Sequence, residues 1–231
     1  MKTLVFVFGL VLASRQPLAL NVSEVKVSHN AMFLYQPTGP DITVFRASWF
    51  VPNEPMTRND QSLAIWIGLE PEDSKTVLQP VLHWGRWANG SREGWNISCW
   101  LAKIAKNGEV SHESSKFVRV QPGQKVTAAV ELVSVSAGVY NYRCYFEGYP
   151  ETQTVYSTRD KFNTAILEYE SQDITSCADH SENANFSDIY IAAGNKSLAS
   201  KWQKAPIEDP KNCGMKIRTS LGNKSFSIGL R

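Results

Sequence analysis

The sequence has 231 residues and is nearly balanced in charge, with 24 Lys and Arg residues, 22 Asp and Glu residues and a formal net charge of +2. The basic residues form no continuous block, which argues against a nucleic-acid footprint, so we expect no nucleic-acid partner. Hydrophobic residues make up 42% of the chain. The length is enough for one large β-sandwich with a substantial core or for two small domains.

The chain begins with a short apolar run that is typical of a secretory signal peptide. Met1 and Lys2 precede the segment LVFVFGLVLA, which ends in small residues and is too short to span a bilayer comfortably. We expect residues 1–20 to form the signal peptide, with cleavage between residues 14 and 20. No later segment is long and apolar enough for a membrane span, so the sequence predicts a secreted, extracellular protein without one.

Several N-x-Ser/Thr triplets follow this segment. Single triplets arise by chance, but a series of them behind a signal peptide favours N-glycosylation, because export brings the chain to the oligosaccharide transferase. The predicted glycosylation sites are Asn21, Asn89, Asn96, Asn185, Asn195 and Asn223.

The 4 cysteines include no C-x-x-C pair. An even number in an exported chain predicts two disulfides, and three connectivities are possible. We favour Cys99 with Cys144, because both lie in strand-like runs, and Cys177 with Cys213, which would tie the polar C-terminal part. The histidines lack ligand spacing, so we expect no metal site and no cofactor. They are His29, His83, His112 and His180.

Period-2 alternation rich in Val, Ile, Tyr, Phe, Thr and Trp recurs along the chain, and turn signals separate the alternating runs. This pattern predicts an all-β fold, an antiparallel β-sandwich of the jelly-roll or concanavalin-like type. We expect one domain over residues 21–231, with a polar C-terminal extension over residues 171–231. The predicted strands are 42–51, 63–69, 77–84, 95–104, 117–120, 125–133, 138–147, 165–169, 188–192 and 226–230.

Alternation also predicts which residues share a face of a strand. In the run from Trp95 to Ala102, one face carries Cys99 and the other carries Asn96 and Trp100. A glycan on Asn96 requires its face to meet solvent, so Cys99 is expected to point toward the core.

Four segments carry a resemblance to a known family, in this order: ASWFVPNEP at 47–55, AIWIGLE at 64–70, VLQPVLHWG at 77–85 and GWNISCW at 94–100. They resemble the glutamic peptidases, or eqolisins, over residues 43–170. The resemblance implies a concanavalin-like β-sandwich in which a catalytic Gln and Glu meet on the concave face. It matches Gln79 to the family's glutamine and Cys99 to its glutamate.

A thiol cannot act as the carboxylic general acid and base that activates water. We therefore expect no catalytic residues, with Gln79 as the remnant of such a site. The alternative is an acid-acting hydrolase that uses Gln79 with another carboxylate, for which Glu131, Glu147 and Glu168 are possible by residue type.

Tryptophans can stack on sugar rings or fill the core of a sandwich. Trp84, Trp87 and Trp100 are the better binding candidates, because polar or glycan-bearing residues flank them. Gln79 and His83 would add hydrogen bonds. The sequence thus predicts a glycoprotein with a binding or structural role, whose partner is an extracellular glycan, peptide or matrix component. It leaves the oligomeric state open.

Overall fold

The computed structural model describes residues 27–35, 41–85, 94–105, 110–198, 202–220 and 224–230. These residues form β-strands and a single 3-10 turn, Cys177–Asp179. They include no helix with the length and apolar character of a membrane span. The expected signal peptide and four predicted site residues, Asn21, Asn89, Asn223 and Trp87, lie outside the described residues.

The strands form two antiparallel sheets of 8 strands each. The first, called the front sheet, has the order β14, β1, β11, β3, β4, β5, β6, and β7 also pairs with β5. Its strands are β1 (Val27–Tyr35), β3 (Ser62–Glu70), β4 (Thr76–Gly85), β5 (Asn96–Ile104), β6 (Val110–Ser114), β7 (Val118–Arg119), β11 (Thr164–Gln172) and β14 (Gln203–Lys204).

The second sheet, called the back sheet, has the order β10, β9, β8, β2, β12, β16, β15, and β13 also pairs with β12. Its strands are β2 (Val44–Phe50), β8 (Lys125–Ser136), β9 (Val139–Phe146), β10 (Tyr149–Thr158), β12 (Ala184–Ala193), β13 (Lys196–Ser197), β15 (Lys216–Thr219) and β16 (Phe226–Gly229). The predicted all-β antiparallel sandwich is confirmed, and part of the polar segment after residue 171 completes the back sheet.

The core lies between the two sheets and is rich in aromatic residues. Trp49, Trp95, Tyr142 and Tyr169 are among the largest fully buried side chains, and each aromatic ring removes about 150–250 Å² from water. Alternation sends every second residue of each strand into this core, so most of the apolar side chains of the strands are buried there.

A disulfide ties the two sheets together through the core. Cys99 of β5 is bonded to Cys144 of β9, with a Cα–Cα distance of 5.9 Å. Cys177 is bonded to Cys213 with a Cα–Cα distance of 5.3 Å, which ties the 3-10 turn to the segment before β15. Both predicted pairings are confirmed.

The front sheet also buries the face that points away from the core. One face of an antiparallel sheet commonly meets solvent, but here a second apolar cluster covers the outer face, with Phe33, Phe117 and Ala205 packed against it. Its buried members are Ala31, Ala64, Trp66, Val77, Val81, Trp100, Ala102 and Ile166. This outer face also carries Gln79.

Candidate functional site

The register of the front sheet defines the surroundings of Gln79. In β5 the residue opposite Gln79 is Trp100. In β3 it is Gly68, because Trp66 pairs with Val81 and Leu69 pairs with Leu78. One strand farther, in β11, Ile166 pairs with Gly68.

Gly68 gives the indole of Trp66 its place beside Gln79. A Cβ atom at position 68 would lie 2.8 Å from the Trp66 ring and 3.4 Å from the Gln79 Cβ atom. The first distance is too short for a real Cβ contact, so a side chain here would push the ring away. Glycine therefore allows the indole to lie over the middle of β3.

The position across Gly68 from Gln79 is apolar, since Ile166 occupies it and is only 3% exposed. Cys99, which the family resemblance matched to the catalytic glutamate, points into the core and is bonded to Cys144. Residues adjacent along a strand face opposite sides of the sheet. The match to Cys99 is thus wrong in position, because Trp100 and not Cys99 shares the outer face with Gln79.

Glu70 is the carboxyl group placed nearest to Gln79 by the register, two residues beyond Gly68 on the same face of β3. Such diagonal neighbours are about 7–8 Å apart and within reach of long side chains. Burial, reinforced by the charge of Glu168 and opposed by a hydrogen bond from Ser74, raises the pKa of Glu70 to about 8. Its carboxyl group is therefore protonated at neutral pH.

The other candidate carboxylates are farther from Gln79. Glu131 accepts hydrogen bonds from Arg143 and Tyr145 on the back sheet. Glu147 also follows a back-sheet strand and pairs with Arg46. Because the core separates these residues from the front sheet's outer face, neither is a partner for Gln79. Glu168 lies on the outer face, but its Oε1 atom is 2.5 Å from the His29 Nδ1 atom.

Three polar atoms of residues on this outer face are buried and make no hydrogen bond with the described part of the chain. They are Trp66 Nε1, Gln79 Oε1 and Glu70 Oε2. Buried polar atoms in proteins are nearly always paired, and each unpaired one costs about 1–3 kcal/mol. An indole donor, an amide acceptor and an oxygen of a protonated carboxyl group on this face thus have no partner among the described residues.

His83 and Trp100 lie beside this group but are packed under Phe117, whose ring meets both edge-on at centroid distances of 4.8 and 5.6 Å. Trp100 Nε1 donates a 2.6 Å hydrogen bond to Ser98 Oγ, which is 3.5 Å from His83 Nε2. Burial lowers the pKa of His83 to about 3, so the imidazole is neutral. These side chains form a closed polar and aromatic cluster.

The structure brings together some of the predicted binding residues. Gln79, His83 and Trp100 share the outer face, whereas Trp84 belongs to the core between the sheets. The guanidinium group of Arg58 lies 5.9 Å from the Trp84 ring centroid. The prediction did not include Glu70 in the site or assign Trp66 to it, although alternation in AIWIGLE places both on one face with Gly68.

The predicted glycosylation sites within the described residues differ in exposure. Asn185 and Asn195 are exposed, and Asn195 lies in the turn between β12 and β13. Asn96 is half-buried and its Nδ2 atom donates a 3.2 Å hydrogen bond to the Gly94 carbonyl oxygen. Glycosylation of these residues remains a prediction.

No protein-family model matches the sequence, and no curated protein matches it significantly. Among solved structures, the chain is similar to Scytalido-glutamic peptidase with a peptide-based transition state analog, with a TM-score of 0.59, 13% identity, and 90% of this chain and 100% of that chain covered. It is also similar to SCP-B, a member of the eqolisin family in a complex with the tripeptide Ala-Ile-His, with a TM-score of 0.57, 14% identity and the same 90% and 100% coverage.

A weaker similarity is found with CG-16, a homodimeric agglutinin from chicken liver, with a TM-score of 0.37, 12% identity, and 75% of this chain and 99% of that chain covered. A score this low carries no functional argument. The two eqolisin-type structures confirm the fold that the sequence resemblance implied, a concanavalin-like β-sandwich.

Proposed function

We propose that this protein binds an extracellular peptide on the outer face of its front sheet and does not hydrolyse it. The observation that carries the proposal is that three buried polar atoms on this face have no hydrogen-bond partner among the described residues: Trp66 Nε1, Gln79 Oε1 and Glu70 Oε2. A ligand that supplies partners to these atoms removes a cost of about 1–3 kcal/mol for each of them.

The chemistry of these atoms suits a peptide group. The indole N–H of Trp66 can donate to a peptide carbonyl, and the Gln79 Oε1 atom can accept from a peptide N–H. The protonated Glu70 carboxyl group adds a further donor. A peptide ligand would thus find complementary donors and acceptors on the outer face of β3 and β4.

A glycan is less well supported, because sugar recognition by tryptophan uses an open ring face. Trp66 and Trp100 are only 4% and 6% exposed, so neither ring offers a stacking platform. A peptide that lies across the sheet needs only the polar edge of Trp66. Binding displaces part of the cover over the outer face, to which Phe117 belongs.

The neighbours of Gln79 support binding without hydrolysis. Ile166, which lies across Gly68, has no carboxylate to activate water. The alternative is a hydrolase that pairs Gln79 with another carboxylate, and Glu70 is the residue that would supply this carboxylate. Because its pKa is raised to about 8, Glu70 becomes a base only in alkaline solution, which conflicts with the acid-acting enzyme that the sequence resemblance suggested.

The test combines binding and cleavage in one assay. The purified protein is incubated with an immobilised peptide library and a glycan array, and peptide cleavage is followed by mass spectrometry from pH 3 to 9. The variants are Gln79→Ala and Trp66→Phe. The second retains an aromatic ring at position 66 but removes the indole N–H. Gln153→Ala, an exposed glutamine of β10, is the matched control.

We expect peptide binding without cleavage, and at least tenfold weaker binding for Gln79→Ala and Trp66→Phe but not for Gln153→Ala. Cleavage that disappears in Gln79→Ala would overturn the proposal in favour of a hydrolase. Binding to glycans alone would replace the peptide by a sugar as the ligand.

A further inference from the structure

A second group of ionisable side chains lies on the outer face of the front sheet, where β1 meets β11. His29 of β1 pairs in register with Glu170 of β11, and Ala31 pairs with Glu168. His29 Nδ1 is 2.5 Å from Glu168 Oε1. One ligand atom from each of His29, Glu168 and Glu170 lies within 4.8 Å of the others.

A third segment adds another carboxylate to this group. The His29 backbone N–H donates a 2.8 Å hydrogen bond to Glu208 Oε2. Asn30 fixes Glu208 from both sides, since its Nδ2 atom donates to the Glu208 carbonyl oxygen and its Oδ1 atom accepts from the Glu208 N–H, each at 3.1 Å. The backbone of Glu208 is therefore held against β1 by specific contacts.

One of these carboxyl groups is fixed by a hydrogen bond, and another is buried. Gln172 Nε2 donates a 3.0 Å hydrogen bond to Glu170 Oε1, which fixes that carboxylate. Glu168 is only 5% exposed, and the charges that act on it most strongly are those of His29, Glu170 and Glu208. Three carboxyl groups and one imidazole therefore lie around a buried oxygen.

We propose that His29, Glu168 and Glu170 form a binding site for a divalent transition-metal ion, with the Glu208 carboxylate beside them as a further oxygen donor. An imidazole nitrogen combined with carboxylate oxygens is a donor set that suits Zn²⁺ and related first-row ions. The ion would bind between ligand atoms of His29, Glu168 and Glu170 that β1 and β11 already hold within 4.8 Å of one another.

Ion binding requires a small local adjustment. Zinc bonds of about 2.0–2.2 Å hold neighbouring ligand atoms about 3.3 Å apart in a tetrahedral site. His29 Nδ1 and Glu168 Oε1, now 2.5 Å apart, must therefore separate by about 1 Å, with the ion in place of the shared proton. The sequence predicted no metal site because His29 and Glu168 are 139 residues apart, so no short spacing reveals them.

The test uses the full secreted chain after treatment with EDTA and dialysis, and the probe is Zn²⁺ alone. Isothermal titration calorimetry at pH 7.5 measures stoichiometry and affinity, and circular dichroism verifies the fold of each variant. The variants are His29→Gln and Glu170→Gln. Because Glu170 is half-buried, we expect the sheet to stay intact when glutamine replaces it. The matched controls are His112→Gln and Glu151→Gln, which replace exposed residues.

We expect one Zn²⁺ per chain, no binding by His29→Gln, at least tenfold weaker binding by Glu170→Gln and unchanged binding by both controls. A rise in melting temperature with Zn²⁺ should occur in the wild type and not in His29→Gln. The proposal is overturned if the wild type takes up no Zn²⁺, if folded Glu170→Gln binds as tightly as the wild type, or if only His112→Gln loses binding.

Discussion

Two buried carboxyl groups, Asp179 and Glu70, are no more than 1% exposed but have opposite surroundings. Asp179 accepts hydrogen bonds from the side chains of Thr57 and Asn59 and from the backbone N–H groups of Thr175 and Ser176. Although burial alone would raise its pKa, these bonds hold the pKa of Asp179 below its ordinary value. The carboxylate ties the loop before β3 to the 3-10 turn.

Glu70 lacks such a network. Ser74 hydrogen-bonds its carboxyl group, but Oε2 has no partner in the part of the chain that the structure describes, and burial raises the pKa of Glu70 to about 8. The fold thus supplies hydrogen-bond donors to the buried carboxylate of Asp179, whose role is structural. In the proposed binding site, a peptide would supply the partner that Glu70 Oε2 lacks among the described residues.

The largest expected effect concerns the pH dependence of Glu70. A group whose folded pKa is raised above its unfolded value, about 4.3, stabilises the fold below that value, and this contribution is lost as pH rises through the folded pKa. Between pH 4 and 8, the wild type should lose on the order of 4 kcal/mol of unfolding free energy relative to Glu70→Gln. Urea denaturation of both proteins at several pH values measures this difference. A constant difference over that range would contradict the buried, unpaired state of Glu70.

The pKa of Asp179 is shifted in the opposite direction, and we expect its replacement to have a somewhat smaller effect on stability. Because its folded pKa is lowered, its contribution is present above the unfolded pKa and is lost only in strong acid. Asp179→Ala should lower the unfolding free energy at pH 7 by about 3 kcal/mol, since several buried donors lose their acceptor. Thermal or urea denaturation measures the loss, with exposed Asp73→Asn as control. A loss below about 1 kcal/mol would show that this network is not the anchor of the loop.

The smallest effect is expected for Gln79. Gln79→Leu keeps the approximate size of the side chain and removes the buried, unpaired Oε1 atom. It should leave stability unchanged or raise it by about 1 kcal/mol while abolishing peptide binding. Denaturation and the binding assay are run on the same preparation. A clear loss of stability would mean that Gln79 has a structural role after all.

The sequence predicted the sandwich because alternation and turns are local signals. It placed Cys99 and Trp100 of β5 on opposite faces, and the structure agrees. The same alternation separates His83 from Trp84 in β4, so Trp84 could have been assigned to the core from the sequence alone.

Two long strands were missed for physical reasons. β1 contains Ser28, His29 and Asn30, which read as a loop but are buried or half-buried beside Glu208 and β11. β10 has an irregular register with β9 between Tyr149 and Thr154, which breaks its alternation. Neither feature can be recognised without the partner strand.

The candidate site was predicted only in part, because its neighbours come from register and not from spacing. Ile166 and Gln79 share a row only because β11 pairs with β3 and β3 with β4. The family resemblance assigned the partner of Gln79 from the adjacent segment GWNISCW, and it therefore selected a residue on the wrong face of β5.

The most direct test of the account observes the Trp66 indole N–H during binding. The protein is labelled with ¹⁵N-tryptophan, Trp66→Phe assigns the resonance, and a peptide selected from the library is titrated. We expect a downfield shift of the Trp66 Nε1–H as it gains an acceptor, while the Trp100 Nε1–H, which already donates to Ser98, changes little. Saturating peptide binding that leaves the Trp66 resonance in place would contradict the proposed site.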